Sequence, residues 1–184
     1  MHPGQAVSIR GVEDFAKAKV IYFEPGVHDY SQFNPSDPDH YIVLKSGQTA
    51  YLAERIRLAG LHIVEPPGGH AVYIDAGHLL PQIPAGEFPG QALTIELYLE
   101  GAIRGCEIGS VMFAHPDPET GRMIYPQLEL LRLAIPRRTY TQSHMDYVAE
   151  TLSAIASRRS ELRGYKFTYA PKLLRHFTAR FEPL

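Results

Sequence analysis

The sequence predicts an α+β fold, in which an antiparallel or mixed sheet carries helices on one face. Two observations support this prediction. Segments with a helical spacing of apolar residues alternate along the chain with short segments that have the character of strands. No internal repeat or low-complexity tract interrupts the alternation. The predicted order is helix, two strands, helix, two strands, helix and two strands.

Each element follows from its local pattern. Apolar residues that share one face predict a helix over residues 48–59, and Pro89 with a broad apolar surface predicts one over residues 88–100. A third helix is predicted to begin near Ser143, with Asp146 as its capping-box partner. Strands are predicted at residues 61–65, 70–76, 105–114, 128–135, 165–169 and 176–181. The first two strands flank a turn of two prolines and two glycines and are expected to form a hairpin. Gly60 is expected to end the first helix.

The predicted strand at residues 128–135 contains the most informative residue. Its apolar side chains occupy both alternating faces, which is typical of a strand buried on both sides. Arg132 stands in its middle, and a desolvated arginine needs a partner because an unpaired buried charge is strongly unfavourable. A structural salt bridge, an edge position with a route to water, or an anionic ligand would each meet that need. The guanidinium fork suits a carboxylate or phosphate held by two hydrogen bonds.

The composition narrows the class of protein. The 184 residues suit one domain or one and a half, and the apolar content of 45% is ordinary for a soluble globular protein. A formal net charge of −2 argues against a nucleic-acid partner. No apolar run approaches the roughly 18 residues of a membrane span, and the N-terminus lacks a secretory apolar core. With Cys106 as its one cysteine, the chain has no intrachain disulfide. We therefore expect a cytoplasmic protein without a membrane partner.

Residues with catalytic chemistry are few, and each has a plainer interpretation. Cys106 is a candidate nucleophile, but a core cysteine is favoured. His144 stands where it can cap a helix or titrate, and capping is favoured. The turn at residues 68–70 can approach a ligand closely, but a plain turn is favoured. From its residues alone, the C-terminal strand makes His176 a core histidine.

Potential metal ligands are numerous in residues 1–45, but their spacing matches no compact ligand motif. They are Glu24, His28, Asp29, Asp37, Asp39 and His40. We therefore predict no metal site. The prolines of this segment leave little room for regular structure, so an irregular N-terminal arm is expected.

Five blocks follow one another in the rest of the chain. They are IVEPPGGHAVYIDA (63–76), EFPGQALTIELY (87–98), GCEIGS (105–110), ELLRLAIPRRTYTQSHMD (129–146) and FTYAPKLLRHFTARF (167–181). Together they resemble the C-terminal part of the β-eliminating lyases, whose two branches are tryptophanase and tyrosine phenol-lyase. The resemblance covers residues 46–184. We predict two parts, a divergent arm over residues 1–45 and a lyase-like domain over residues 46–184.

The resemblance implies the small C-terminal domain of the aspartate-aminotransferase-like fold (type I of the pyridoxal-phosphate enzymes). Such enzymes cleave the bond between Cβ of an aromatic amino acid and its ring, giving pyruvate, ammonia and indole or phenol. Arg132 matches the arginine that binds the substrate α-carboxylate. Ile108 and His176 match the tryptophanase branch. Ile108 would then contact the indole face, and His176 would lie beside the ring as the candidate catalytic residue for proton movement there.

The same resemblance places the cofactor outside this chain. In the family, the lysine that binds pyridoxal phosphate, the phosphate-binding loop and the monovalent-cation site belong to the part before the block at Gly68. Lys17, Lys19 and Lys45 stand in a different context and are interpreted as surface residues. We therefore expect no cofactor-binding residue on this chain and no lyase activity from the chain alone.

Three interpretations of such a chain stay open at this point. It is a subunit completed by a second polypeptide that carries the cofactor domain, a degenerate gene product, or a stand-alone module that binds amino acids or carboxylates through Arg132. The substrate partner implied by the first is an aromatic amino acid similar to tryptophan. An exposed apolar face where the large domain would dock predicts a homo-oligomer.

Overall fold

The computed structural model describes residues 46–136, 139–171 and 173–184. The helices are α1 (Ser46–Leu58), α2 (Ala76–Leu79), α3 (Pro89–Gly101), α4 (Ser110–Phe113), α5 (Gln142–Ser157) and α6 (Arg175–Thr178), with 3-10 turns at Ala85–Glu87 and Arg159–Glu161. The strands are β1 (Ala71–Asp75), β2 (Cys106–Ile108), β3 (His115–Pro116), β4 (Met123–Ile124), β5 (Leu130–Ala134), β6 (Tyr165–Tyr169) and β7 (Arg180–Pro183). The predicted α+β class is confirmed.

A three-stranded antiparallel sheet with β5 at its centre organises the described residues. β1 and β2 flank β5 on either side, so that Arg132 lies between Tyr73 and Cys106 in the register. Two further antiparallel pairs, β3 with β4 and β6 with β7, lie outside this sheet. The central position of β5 agrees with its apolar sequence.

The hydrophobic core lies between one face of this sheet and the three long helices. Alternate side chains of β1 and β5 enter the core, where apolar side chains of α1, α3 and α5 meet them. The fully buried members include Leu52, Ile56, Val72, Ile74, Leu93, Leu97, Leu131, Leu152 and Ile155. Because side chains alternate along a strand, the remaining residues of β1, β5 and β2 point to the opposite face of the sheet. That second face contains the candidate site.

Some predicted strands are wrong in extent. The strand predicted at residues 105–114 ends at Ile108, and α4 begins at Ser110. The strand predicted at 61–65 is reduced to an isolated antiparallel bridge between Ile63 and Ile74, so the expected hairpin is only partly formed. β5 is also less enclosed than predicted, because Leu128 and Ala134 are exposed. The turn at Gly60, with φ of +81°, ends α1 as predicted.

The C-terminal strand predicted at residues 176–181 is likewise wrong in position. His176 lies in the short helix α6, and the strand begins only at Arg180. The physical reason is Leu174, whose φ of 51° is left-handed and turns the chain into α6. The chain returns to an extended conformation only at Ala179, where α6 ends.

The start of α5 also differs from the expectation. Thr141, rather than Ser143, is the N-cap residue, and its backbone N–H donates to Nδ1 of His144 at 3.2 Å. The favoured capping role of His144 is therefore confirmed. The predicted pairing of Ser143 with Asp146 is wrong, because the hydroxyl of Tyr51 donates to the Asp146 carboxylate at 2.5 Å.

Several expectations fall on residues outside the described ranges. The division at residue 45, the surface positions of Lys17, Lys19 and Lys45 and the metal-ligand types of residues 24–40 all stay predictions. Within the described ranges, no helix is both long and apolar enough to cross a membrane.

Candidate functional site

A row of three side chains crosses the face of the sheet that points away from the core. Tyr73 of β1, Arg132 of β5 and Cys106 of β2 are direct cross-strand neighbours. Tyr73 and Arg132 are half-buried, and Cys106 is exposed. The prediction that Cys106 is a core cysteine is therefore wrong, because its parity on β2 directs it away from the helices. Its thiol lies 3.5 Å from the carbonyl oxygen of Glu107, a weak hydrogen-bond contact.

Arg132 has a buried donor without an acceptor. Its Nε is inaccessible to solvent and has no hydrogen-bond partner, and no carboxylate of the described residues forms a salt bridge with it. Asp75, on the same sheet face, accepts a hydrogen bond from the backbone N–H of His78 at 2.9 Å and so caps α2. A buried unsatisfied donor costs roughly 1–3 kcal/mol. An anion that accepts from the guanidinium fork would remove that penalty.

Ile108 occupies the next row of the same face. It pairs with Leu130 while Cys106 pairs with Arg132, so Ile108 and Arg132 are diagonal neighbours across β2 and β5. Such neighbours lie about 7–8 Å apart and are within reach of one ligand. The structure therefore brings two of the three sequence-predicted site residues together.

His176 lies on α6, which packs against α4. Its ring is half-buried and contacts the ring of Phe177, with the centroids 4.2 Å apart. The preceding residue, Arg175, donates hydrogen bonds to backbone carbonyls of α4. β2, which carries Ile108, and α6, which carries His176, both pack against α4, so α4 connects the elements of the two ring-side candidates.

Two buried glutamates beside this site were missed by the sequence analysis. Glu107 and Glu129 are only 5% and 6% exposed. Glu129 accepts hydrogen bonds from the backbone N–H of Ser110 at 3.1 Å and from the Ser110 hydroxyl. Glu107 accepts one from the backbone N–H of Val111 at 3.0 Å, and its Oε2 has no partner. The sequence does contain a signal for their burial, because Glu107 lies within β2 and Glu129 immediately precedes the apolar strand β5.

Burial perturbs both carboxyl groups. Desolvation, together with the charge of Glu129, raises the pKa of Glu107 to about 7, against the lowering effect of the Val111 N–H. Desolvation also raises the pKa of Glu129, while hydrogen bonds from Ser110 lower it. Near neutral pH, Glu107 therefore exists partly as the neutral acid.

Two other features lie apart from this face. A cavity of about 250 Å³ lies beside the end of β5 and the start of α5, and its lining includes Ile103, Leu133, Tyr140 and Tyr147. None of Arg132, Ile108 and His176 lines this cavity.

The turn at residues 68–70 is exposed. In the part of the chain that the structure describes, no three His, Cys, Asp or Glu side chains gather in a way that could hold a metal ion.

Comparison with known proteins identifies the family. The protein-family model described as "Beta-eliminating lyase" matches residues 15–151, which is most of the chain. The chain belongs to the β-eliminating lyase family. Tyrosine phenol-lyase of Pasteurella multocida (strain Pm70) is 48% identical over 144 residues, 78% of this chain and 31% of the relative. Tryptophanase of Salinibacter ruber (strain DSM 13855 / M31) is 51% identical over 146 residues, 79% of this chain and 30% of the relative.

The predicted resemblance to β-eliminating lyases is therefore confirmed, and the chain spans about 31% of the length of these relatives. Tyrosine phenol-lyase of Nostoc punctiforme (strain ATCC 29133 / PCC 73102) is 51% identical over 144 residues, as similar as the Salinibacter tryptophanase. Overall sequence identity therefore does not distinguish the tryptophanase branch from the tyrosine phenol-lyase branch. The choice between them depends on individual site residues.

The described residues of this β-eliminating lyase chain do not fit pyridoxal phosphate as a covalently held cofactor. A lysine amine is required to anchor it. Lys166 is the lysine whose side chain the structure describes, and its Nζ lies 2.8 Å from the Glu182 carboxylate on an exposed hairpin. Its pairing and position, away from the Arg132 face, leave it unsuited to that role.

Proposed function

We propose that this chain is the substrate-recognising C-terminal part of a tryptophanase-type lyase, with Arg132 as the residue that binds the substrate α-carboxylate. The observation that carries the proposal is the buried Nε of Arg132, which has no acceptor and lies in the exposed face of a central strand. The reaction of the complete enzyme would convert L-tryptophan to indole, pyruvate and ammonia with pyridoxal phosphate. The domain itself would be the small domain of the aspartate-aminotransferase-like fold.

We propose separate tasks for the site residues. Two hydrogen bonds from Arg132 to the carboxylate would fix the orientation of the substrate Cα, and fixed orientation is a large part of catalysis. Ile108, diagonal to Arg132, would offer an apolar surface to the indole ring. His176 would lie beside that ring on α6 and hold or move a proton at the ring.

The lysine and the cofactor would be supplied by other parts of the enzyme. We propose a second polypeptide or a further segment as their source, and an oligomeric assembly around an aromatic amino acid as substrate. The chain alone is expected to have no lyase activity. Mixing the purified chain with pyridoxal phosphate and L-tryptophan and finding indole would contradict this expectation.

A stand-alone module that binds amino acids or carboxylates is the second candidate function. The same unpartnered Arg132 favours it, because carboxylate binding by this face requires no cofactor. The two candidates differ in what an added polypeptide does. Lyase activity that appears when the chain is combined with a lysine-bearing partner supports the enzyme, whereas ligand binding unaffected by any such partner supports the module.

Replacing Arg132 by alanine should weaken the saturable binding of L-tryptophan to the purified chain. A charge-assisted bidentate contact contributes about 1.5–3 kcal/mol, so affinity should fall by at least about tenfold. The chain contains no tryptophan of its own, so the indole fluorescence anisotropy of the ligand reports binding directly. Tryptamine, which lacks the carboxylate, should bind no better to the wild type than to the variant.

The matched control is Arg122→Ala, an exposed arginine on the turn between β3 and β4. Its affinity for L-tryptophan should equal that of the wild type. If Arg132→Ala binds L-tryptophan as well as the control does, Arg132 is not the carboxylate-binding residue.

A further inference from the structure

We propose that Arg175 is a positioning residue for recognition of the substrate ring. It fixes α6, which carries His176, to α4, which follows Ile108. This inference deepens the proposed function and rests on it, since it concerns the same ring subsite. It predicts that the two ring-side residues are set in place together by a third residue that does not touch the substrate.

The Arg175 guanidinium binds the carbonyl groups of α4. Its Nε donates to the carbonyl oxygen of Val111 at 2.5 Å, and its Nη2 donates to that of Ser110 at 3.1 Å and to that of Ala114. Within α4, the Ser110 carbonyl accepts from the Ala114 N–H at 3.1 Å, but so short a helix leaves its later carbonyls without an intrahelical donor, and its C-terminal end favours a cation. One planar guanidinium therefore satisfies three acceptors of one helical turn, which a lysine cannot reproduce.

The opposite side of Arg175 faces an aromatic cluster. Its guanidinium carbon lies 5.8 Å from the centroid of the Phe167 ring on β6. Phe167 packs against Phe88 at 4.6 Å and against Phe181 at 5.0 Å between centroids. Arg175 is thus held between the β6–β7 hairpin and α4, so its side chain has little freedom to move away from the α4 carbonyls.

The other end of α4 is held by the buried glutamates. Glu129 accepts from the first backbone N–H of α4, at Ser110, and Glu107 accepts from the next, at Val111. With carboxylates at its N-terminus and Arg175 at its carbonyls, α4 is fixed at both ends. Only Gly109 separates Ile108 from α4, and His176 follows Arg175, so the position of one depends on that of the other.

The first test separates ring recognition from carboxylate binding. L-Alanine carries the carboxylate without a ring, so the ratio of the L-tryptophan to the L-alanine affinity measures the contribution of the ring. We expect Arg175→Ala to lower this ratio by about tenfold without changing the L-alanine affinity, and Arg175→Lys to lower it by less. Arg180→Ala, an exposed arginine on β7, is the control and should leave the ratio unchanged.

The second test needs no ligand, so it holds even if the proposed function fails. Backbone amide exchange should become about tenfold faster in Arg175→Ala at Ala114 and Ala179 together, because both amides close short helices that Arg175 joins. Amides of α5 should keep the exchange rates of the wild type. Faster exchange in only one of the two helices overturns the inference, as does an unchanged affinity ratio in both Arg175 variants. If Arg175→Ala does not fold, Arg175→Lys gives the same comparison.

The two failures can be told apart. If neither amino acid binds and Arg132→Ala has no effect, the proposed function fails, while joint exchange at α4 and α6 still supports the Arg175 linkage. If both bind through Arg132 and the ratio is insensitive to Arg175, the proposed function stands and this inference fails.

Discussion

Replacing Glu107 by glutamine should make the protein more stable at about pH 8 and should flatten its stability profile between about pH 4.5 and 7. Burial raises the pKa of Glu107 from 4.5 to about 7, so the folded state holds a proton that the unfolded state releases. Stability from this group is fully present below about pH 4.5 and is lost as the pH rises through about 7. Glutamine stays neutral throughout and keeps a carbonyl oxygen that can accept from the Val111 N–H.

The expected gain in the free energy of unfolding at about pH 8 is on the order of 2–3 kcal/mol. Urea unfolding at a series of pH values measures it. Glu119→Gln, at an exposed position on the turn after β3, is the matched control and should follow the wild-type profile. A Glu107→Gln profile parallel to that of the wild type would mean that folding does not shift the pKa of Glu107. The raised pKa of Glu129 should leave a residual slope of the same sign.

Replacing Gly109 by alanine should destabilise the protein by about 2–3 kcal/mol, because the added methyl group has no room. A Cβ at this position would lie 2.5 Å from Oε2 of Glu129 and 2.8 Å from Oε1 of Glu107. Both carboxylates are buried and hold the N-terminus of α4, so neither can retreat without losing its hydrogen bonds. Thermal unfolding of the variant measures the effect.

Gly47→Ala is the matched control for this substitution. No atom lies within 4 Å of a Cβ built at Gly47, which stands in α1. Alanine there should leave stability unchanged or increase it by up to about 1 kcal/mol. Equal unfolding temperatures for the two alanine variants would show that the carboxylates around Gly109 move aside freely.

The residues alone predicted the long helices and the central strand well. The apolar residues of α1 and α5 repeat at helical spacing, and α3 is broadly apolar with Pro89 in its first turn, so the local pattern favours a helix in each case. The anomaly of Arg132 was also visible in the sequence, since a charge inside an apolar strand requires an explanation. The family followed from blocks of residues whose order and spacing are specific.

The sequence could not predict the short elements, because distant contacts decide them. Residues 105–114 read as one strand, yet Glu129 binds the backbone N–H of Ser110 and starts α4 at that point. His176 belongs to a helix because Leu174 adopts a left-handed conformation and Arg175 binds α4. Both outcomes depend on residues that are far apart in the chain.

The sequence by itself determined the family, the α+β class and the presence of a charged arginine inside an apolar strand. Tertiary structure decided that Arg132 and Ile108 share one sheet face, and that Arg132 has no carboxylate partner among the described residues. It also decided that Glu107 and Glu129 meet beside Gly109. The reason is that periodicity specifies which side of an element is apolar, whereas strand register and side-chain burial specify which polar groups meet. The position of a charged group, its pKa and the presence of an unpaired donor therefore depend on register and burial.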